Sequence, residues 1–206
     1  MPSSVWTPIA LASDLPPRLV IPVSCDGQDL ALWRAESGKV QAWNDRCPHR
    51  GMRLSHGFVR GEFLSCIYHG WRYDGAGICR KIPAHPDLEP PATIRVNAWS
   101  CVEQDGVIWV APQGAEGEPP AFAGLAPLRS LAVEAAPEEI ALACDSANAC
   151  VLTKGDLTIL MQHVGTTAVL HALIAAEADA EARIAASRRL EALRFELEAA
   201  TKEKVA

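Results

Sequence analysis

Short runs of apolar and β-branched residues, broken every few positions by Gly, Asp, Ser or Pro, mark the first half of the chain as a series of strands. The run at 6–10 opens the series and Pro16-Pro17 breaks it. Arg18–Val23 and Leu30–Arg34 flank the turn Cys25-Asp26-Gly27-Gln28, and Val40–Trp43 follows Glu36-Ser37-Gly38-Lys39. Glu62–Leu64, Trp71–Tyr73 and Ile78–Arg80 are shorter, with a hairpin turn at Asp74–Gly77. Thr93–Val96, Trp99–Glu103 and Val107–Val110 predict three further strands, the last two joined at Gln104-Asp105-Gly106. Pro, Gly and Ala crowd residues 113–138, which predicts a linker. Beyond it, Ile140–Cys144, 149–153, Leu157–Val164 and Ala168–Ile174 predict an antiparallel meander, with a polar turn at Asp145–Asn148. From about 176 to 203 the period changes to helical. Ala, Glu and Arg dominate, and Ile184, Leu190, Leu193 and Leu197 fall near one face. A helix starting as early as Thr166 is the competing reading. The prediction is a mainly β chain in three parts: an antiparallel β-sandwich over 1–112, a linker over 113–138, and a small sheet with a long C-terminal helix (α+β) over 139–206.

The chemistry is concentrated between Cys47 and His69. Cys47-Pro48-His49 is followed, sixteen residues later, by Cys66-Ile67-Tyr68-His69. Two thiols and two imidazoles on paired loops suit either a zinc ion or an iron–sulfur cluster. The flanking residues are Arg50-Gly51, Leu54-Ser55-His56-Gly57, Gly70-Trp71-Arg72-Tyr73-Asp74-Gly75 and Gly77-Ile78-Cys79. With them the stretch resembles the Rieske domain of bacterial ring-hydroxylating and N- or O-demethylating oxygenases and of small Rieske ferredoxins, over roughly residues 5–112.

The resemblance implies a [2Fe–2S] cluster held by Cys47, His49, Cys66 and His69, with two cysteines on one iron and two histidines on the other. It implies one-electron relay from a flavin or ferredoxin reductase to a mononuclear-iron oxygenase. A shortened oxygenase subunit is the alternative. Respiratory Rieske proteins add a disulfide whose cysteines would fall at Met52 and Tyr68, and a hydroxyl residue where Trp71 stands. Their absence implies a potential near the low end of the Rieske range, at roughly −150 mV. The oxygenase family's helix motif for a mononuclear iron does not occur. His163 and His171, with Asp156 as a conceivable carboxylate, are more simply ordinary strand residues.

Charge changes the picture locally. The net charge is −6, but residues 1–114 balance eleven acids with eleven bases. Between Trp43 and His85 seven bases face three acids. That excess either offsets the charge of a cluster or forms a docking face for an acidic redox partner. The acidic total argues against nucleic acid. The N-terminus has no charged region or long apolar core, and no run reaches membrane-spanning length, so the expected compartment is the cytoplasm. Of seven cysteines, Cys25, Cys79, Cys101, Cys144 and Cys150 are left as free thiols. Oligomeric state is not legible.

Overall fold

Asp-Gly pairs set the register of the first hairpins. In the computed structural model, which describes residues 6–148 and 150–205, Asp26 and Gly27 both take positive φ (50° and 73°). They form the two-residue turn between β2 (Val20–Cys25) and β3 (Gln28–Arg34), whose twist matches that of the strands it joins. Asp105 and Gly106 repeat the device (52° and 75°) between β9 (Ala98–Gln104) and β10 (Val107–Ala111). The residues before Trp6, read above for a leader, lie outside the described residues.

The chain separates into two compact units, one comprising Leu15–Glu103 and Val110–Gly117 and the other comprising the residues up to Asp14, Gln104–Trp109 and those from Glu118 onward. In the first unit β2, β3, β4 (Val40–Asn44) and β9 are neighbours in one antiparallel sheet. A second sheet runs β5 (Phe58–Arg60), β6 (Phe63–Ser65), β7 (Arg72–Tyr73) and β8 (Cys79–Lys81) in sequence order. Trp33, Trp43, Leu54, Leu64 and Tyr73 are fully buried in the core of this unit. Trp43 stands edge-on to both Trp33 (4.9 Å) and Tyr73 (6.4 Å), an arrangement aromatic quadrupoles favour. The strand expected at Thr93–Val96 reduces to one bridge, Ile78 with Arg95. Its amides are used in other ways: Ile94 N–H donates to Pro91 O, and Val96 N–H donates to Gly77 O.

The second unit corrects several expectations. The stretch 113–138, expected as a linker, contains a nine-residue strand, β11 (Leu125–Val133). Its five-stranded sheet runs β11, β15 (Thr167–Ala175), β14 (Leu157–Val164), β13 (Val151–Lys154) and β12 (Ser146–Asn148). Pro127 hid β11, because a proline cannot serve a central ladder. Here it sits on the edge strand, where the register shifts between Pro127 and Arg129. The strand expected at Ile140–Cys144 is a short helix, α1 (Pro137–Leu142), with Pro137 in its first turn beside Glu138 and Glu139, a helix-start pattern. The polar turn expected at 145–148 is largely β12. The strand reading of Leu157–Val164 and Ala168–Ile174 holds. The long helix, α2 (Ala180–Val205), starts at Asp179, whose carboxylate accepts the Ala182 N–H at 2.8 Å. Ala186, Leu190, Leu193 and Leu197 of α2 pack on Leu152, Ile159, Leu170 and Ile174. Ile184 points away from that face and is 54% exposed.

A polar chain crosses this sheet. Asp14 accepts the Ser130 hydroxyl (2.5 Å), Ser130 Oγ meets His171 Nδ1 (2.8 Å), and His171 Nε2 meets Gln162 Oε1 (3.2 Å). Burial lowers the His171 pKa to about 4, against an opposing pull from Asp14. Because the folded pKa lies below the unfolded one, this contribution is fully present above the unfolded value near 6.5 and is lost as pH falls towards 4. The expected loss across that window is about 3 kcal/mol. Urea unfolding of the chain and of His171→Gln between pH 7.5 and 4.5 measures it. The variant should lack most of this slope, and equal slopes would contradict the assignment.

Candidate metal centre

Two loops with the same backbone wiring carry the four sequence-predicted residues. In the first, Cys47 N–H donates to Met52 O and Gly51 N–H to Cys47 O, both at 2.8 Å. In the second, Cys66 N–H donates to Trp71 O (2.9 Å) and Gly70 N–H to Cys66 O (3.0 Å). Each loop turns on a glycine four residues after its cysteine. Gly51 and Gly70 have φ of 72° and 69°, a region that L side chains enter only with strain. The 16-residue connection between the loops is short-circuited by a close approach. A Cβ on Gly57 would stand 2.3 Å from Ser65 O and 2.8 Å from Leu54 O. Only glycine lets the exit of the first loop run against the strand that enters the second.

The donors fall into two pairs. Cys47 and Cys66 are buried (3% and 2% exposed) in the same core cluster. Burial is the largest influence on the Cys66 thiol and raises its pKa, with Cys47 adding to the rise. The His49 and His69 rings stand 4.7 Å apart at 63°. His49 is half-buried and His69 exposed. A thiol pair beside an imidazole pair suits a two-iron cluster with one pair on each metal.

Two aromatic residues complete the site. The Trp71 ring stacks on His49 at 4.3 Å and 6°, which fixes the imidazole plane. Loss of water contact lowers the pKa of His49, followed by its neighbours His69 and Arg50. The Tyr73 hydroxyl lies 3.1 Å from Cys47 Sγ. Burial pushes the Tyr73 phenol well above its ordinary range, so it remains a hydrogen-bond donor. The residue type and its spacing from the second loop were visible in the sequence, but the partner sulfur was not.

The other candidates lie elsewhere. His163 is exposed, His171 is buried in the chain with Ser130 and Gln162, and Asp156 is ion-paired with Arg189. His56 and His85 are exposed. All seven cysteines are unbridged, including Cys144 and Cys150.

The family description "Rieske [2Fe-2S] domain" matches residues 5–99. The oxidoreductase NdmD of Pseudomonas putida is 48% identical over 115 residues, which is 55% of this chain and 20% of that protein. A 4beta-methylsterol monooxygenase of Methylococcus capsulatus is 41% identical over 116 residues, 54% of this chain and 31% of that protein. The chain thus matches between a fifth and a third of the length of these relatives. Among solved structures, the QL mutant of NdmA of Pseudomonas putida CBB5 with theobromine superposes with a TM-score of 0.75 at 19% identity, over 94% of this chain and 80% of that one. Apo dicamba monooxygenase gives 0.76 at 18% identity, over 98% and 88%. At that identity the likeness shows a shared fold, and its coverage includes the C-terminal sheet and helix.

Gly57→Ala tests the coupling of the two loops. The added methyl group should lower unfolding stability by about 1–3 kcal/mol, as overpacking against backbone does, in a urea titration. An unchanged midpoint would show that the loops do not depend on this approach.

Proposed function

We propose, on the match of residues 5–99 to the Rieske [2Fe-2S] domain family, that the chain relays single electrons within an oxygenase system, from a flavin or ferredoxin reductase to a mononuclear-iron oxygenase. Cys47 and Cys66 would hold one iron of the cluster, and His49 and His69 the other. The pairing of buried thiols with imidazoles that reach the surface carries this reading. When bound, the cluster supplies one-electron redox chemistry and makes no bond to a substrate.

The protein's part is positioning and insulation. Leu54, Leu64 and Val59 are buried in the same core cluster as the two cysteines, keeping water from the sulfurs. Trp71 holds the plane of His49, and His69 is exposed to a docked protein. Tyr73 donates a hydrogen bond to Cys47 Sγ once that cysteine is a thiolate, which stabilises the reduced state. The missing disulfide at Met52 and Tyr68 keeps the potential low, and Tyr73 raises it from that floor.

The fold shared with NdmA and dicamba monooxygenase across both units favours a second reading, a shortened oxygenase subunit that works with a partner's iron. Metal content separates the two. Electron transfer alone predicts two irons and two labile sulfides per chain. A third iron together with substrate-dependent oxygen uptake would establish the oxygenase reading. Tyr73→Phe should lower the midpoint potential by about 40 mV, the one-electron equivalent of one hydrogen bond of about 1 kcal/mol, in a dye-mediated redox titration. A potential that does not move would remove Tyr73 from the tuning of the site.

A further inference from the structure

Beside the first metal-binding loop lies a cleft of about 430 Å³ lined by Arg46, Arg50 and Arg95 together with Cys47, His49 and Asn97. No carboxylate is among its lining residues. Among the described residues none of the three arginines has an ion pair, whereas the acids nearby are already engaged. Arg53 pairs with Asp29 (2.7 Å) and reaches Asp45 (3.5 Å), which also accepts the Ser55 N–H and hydroxyl. Asp74 is taken by Arg80 and by the Ala76 and Ile78 N–H groups.

The arginines are held in place by the fold. The Arg46 guanidinium lies over Gly51, where an added Cβ would meet its Nε at 3.3 Å. Arg50 sits in the turn that Gly51 N–H closes by donating to Cys47 O at 2.8 Å. The segment carrying Arg95 is tied to the end of β4 by Asn44 N–H donating to Asn97 O at 2.9 Å.

Three like charges around one cleft repel one another, which is costly unless an anion joins them. The cluster itself does not account for them. Two ferric ions, two sulfides and two thiolates sum to no net charge, and a single electron adds only one negative charge. Next to the histidines, the second loop exposes Ile67 (57%) and Tyr68 (53%). An apolar, aromatic centre with arginines at its side has the composition of a protein interface. We propose that this cleft receives an acidic side-chain segment of the protein that exchanges electrons with this chain, an assignment that rests on the electron-transfer reading above.

The test uses the cluster-loaded chain and a fluorescein-labelled hexaglutamate peptide, followed by anisotropy at low salt. Arg46→Gln, Arg50→Gln and Arg95→Gln together should weaken binding by about tenfold or more and flatten its salt dependence. Arg18→Gln, Arg60→Gln and Arg188→Gln remove the same charge elsewhere and should change it little. Equal weakening in both triple variants would reduce the effect to net charge and overturn the inference. Displacement of the peptide by inorganic pyrophosphate at lower concentration than by unlabelled hexaglutamate would make the cleft a site for free oxoanions, and would overturn it too. Stopped-flow oxidation of the reduced chain by ferricyanide separates the two levels. Absent oxidation would overturn the partner assignment along with the electron-transfer reading. Intact oxidation with cleft-independent peptide binding would overturn the cleft alone.

Discussion

The amide of each metal-loop cysteine is spent inside its own loop, and the centre depends on this. Cys47 donates to Met52 O and Cys66 to Trp71 O, and the glycine four residues on closes each turn onto the cysteine carbonyl. With both backbone groups satisfied locally, the sulfurs can be buried without leaving polar groups unpaired. The two loops are then pinned to each other where Gly57 meets Ser65 O and Leu54 O. The sheets form the rigid base for this pair. Glu62 in the β5–β6 turn accepts the Ser37 N–H (2.9 Å) and hydroxyl (2.7 Å), and Glu36 N–H donates to Gly61 O (3.0 Å), so the second sheet is tied to the turn after β3. Rigid support of this kind limits how far the donors reorganise when charge changes.

Much of this was legible because it is local. The spacing of Cys47, His49, Cys66 and His69 and the Asp26-Gly27 and Asp105-Gly106 turns are written in consecutive residues. What stayed hidden depends on distant partners. Pro127 argued against a strand until the bulge beside it on an edge was known. Pro137 followed by two glutamates was a helix start that the apolar run after it obscured. Nothing in the residues between them shows that Cys47 Sγ lies against the Tyr73 hydroxyl. Arg95, more than forty residues beyond the first loop in sequence, lines the same cleft as Arg46 and Arg50 through long-range contacts such as Asn44 N–H with Asn97 O.

The second unit is held together by its own side chains. Its sheet packs Leu152, Ile159, Leu170 and Ile174 against α2, so the space between sheet and helix is filled with side chains. His171 is committed to Ser130 and Gln162, and Asp156 to Arg189. His171 and Asp156 are therefore engaged by partners within the unit.

Nitrogen hyperfine spectroscopy of the reduced, cluster-loaded chain grown with 15N-histidine addresses the central claim most directly. Two distinct imidazole nitrogens coupled to the cluster spin, with one coupling lost in His49→Cys and the other in His69→Cys, is the predicted result. A chain that holds a single zinc ion without labile sulfide, or a cluster spin that shows no histidine coupling, would contradict it.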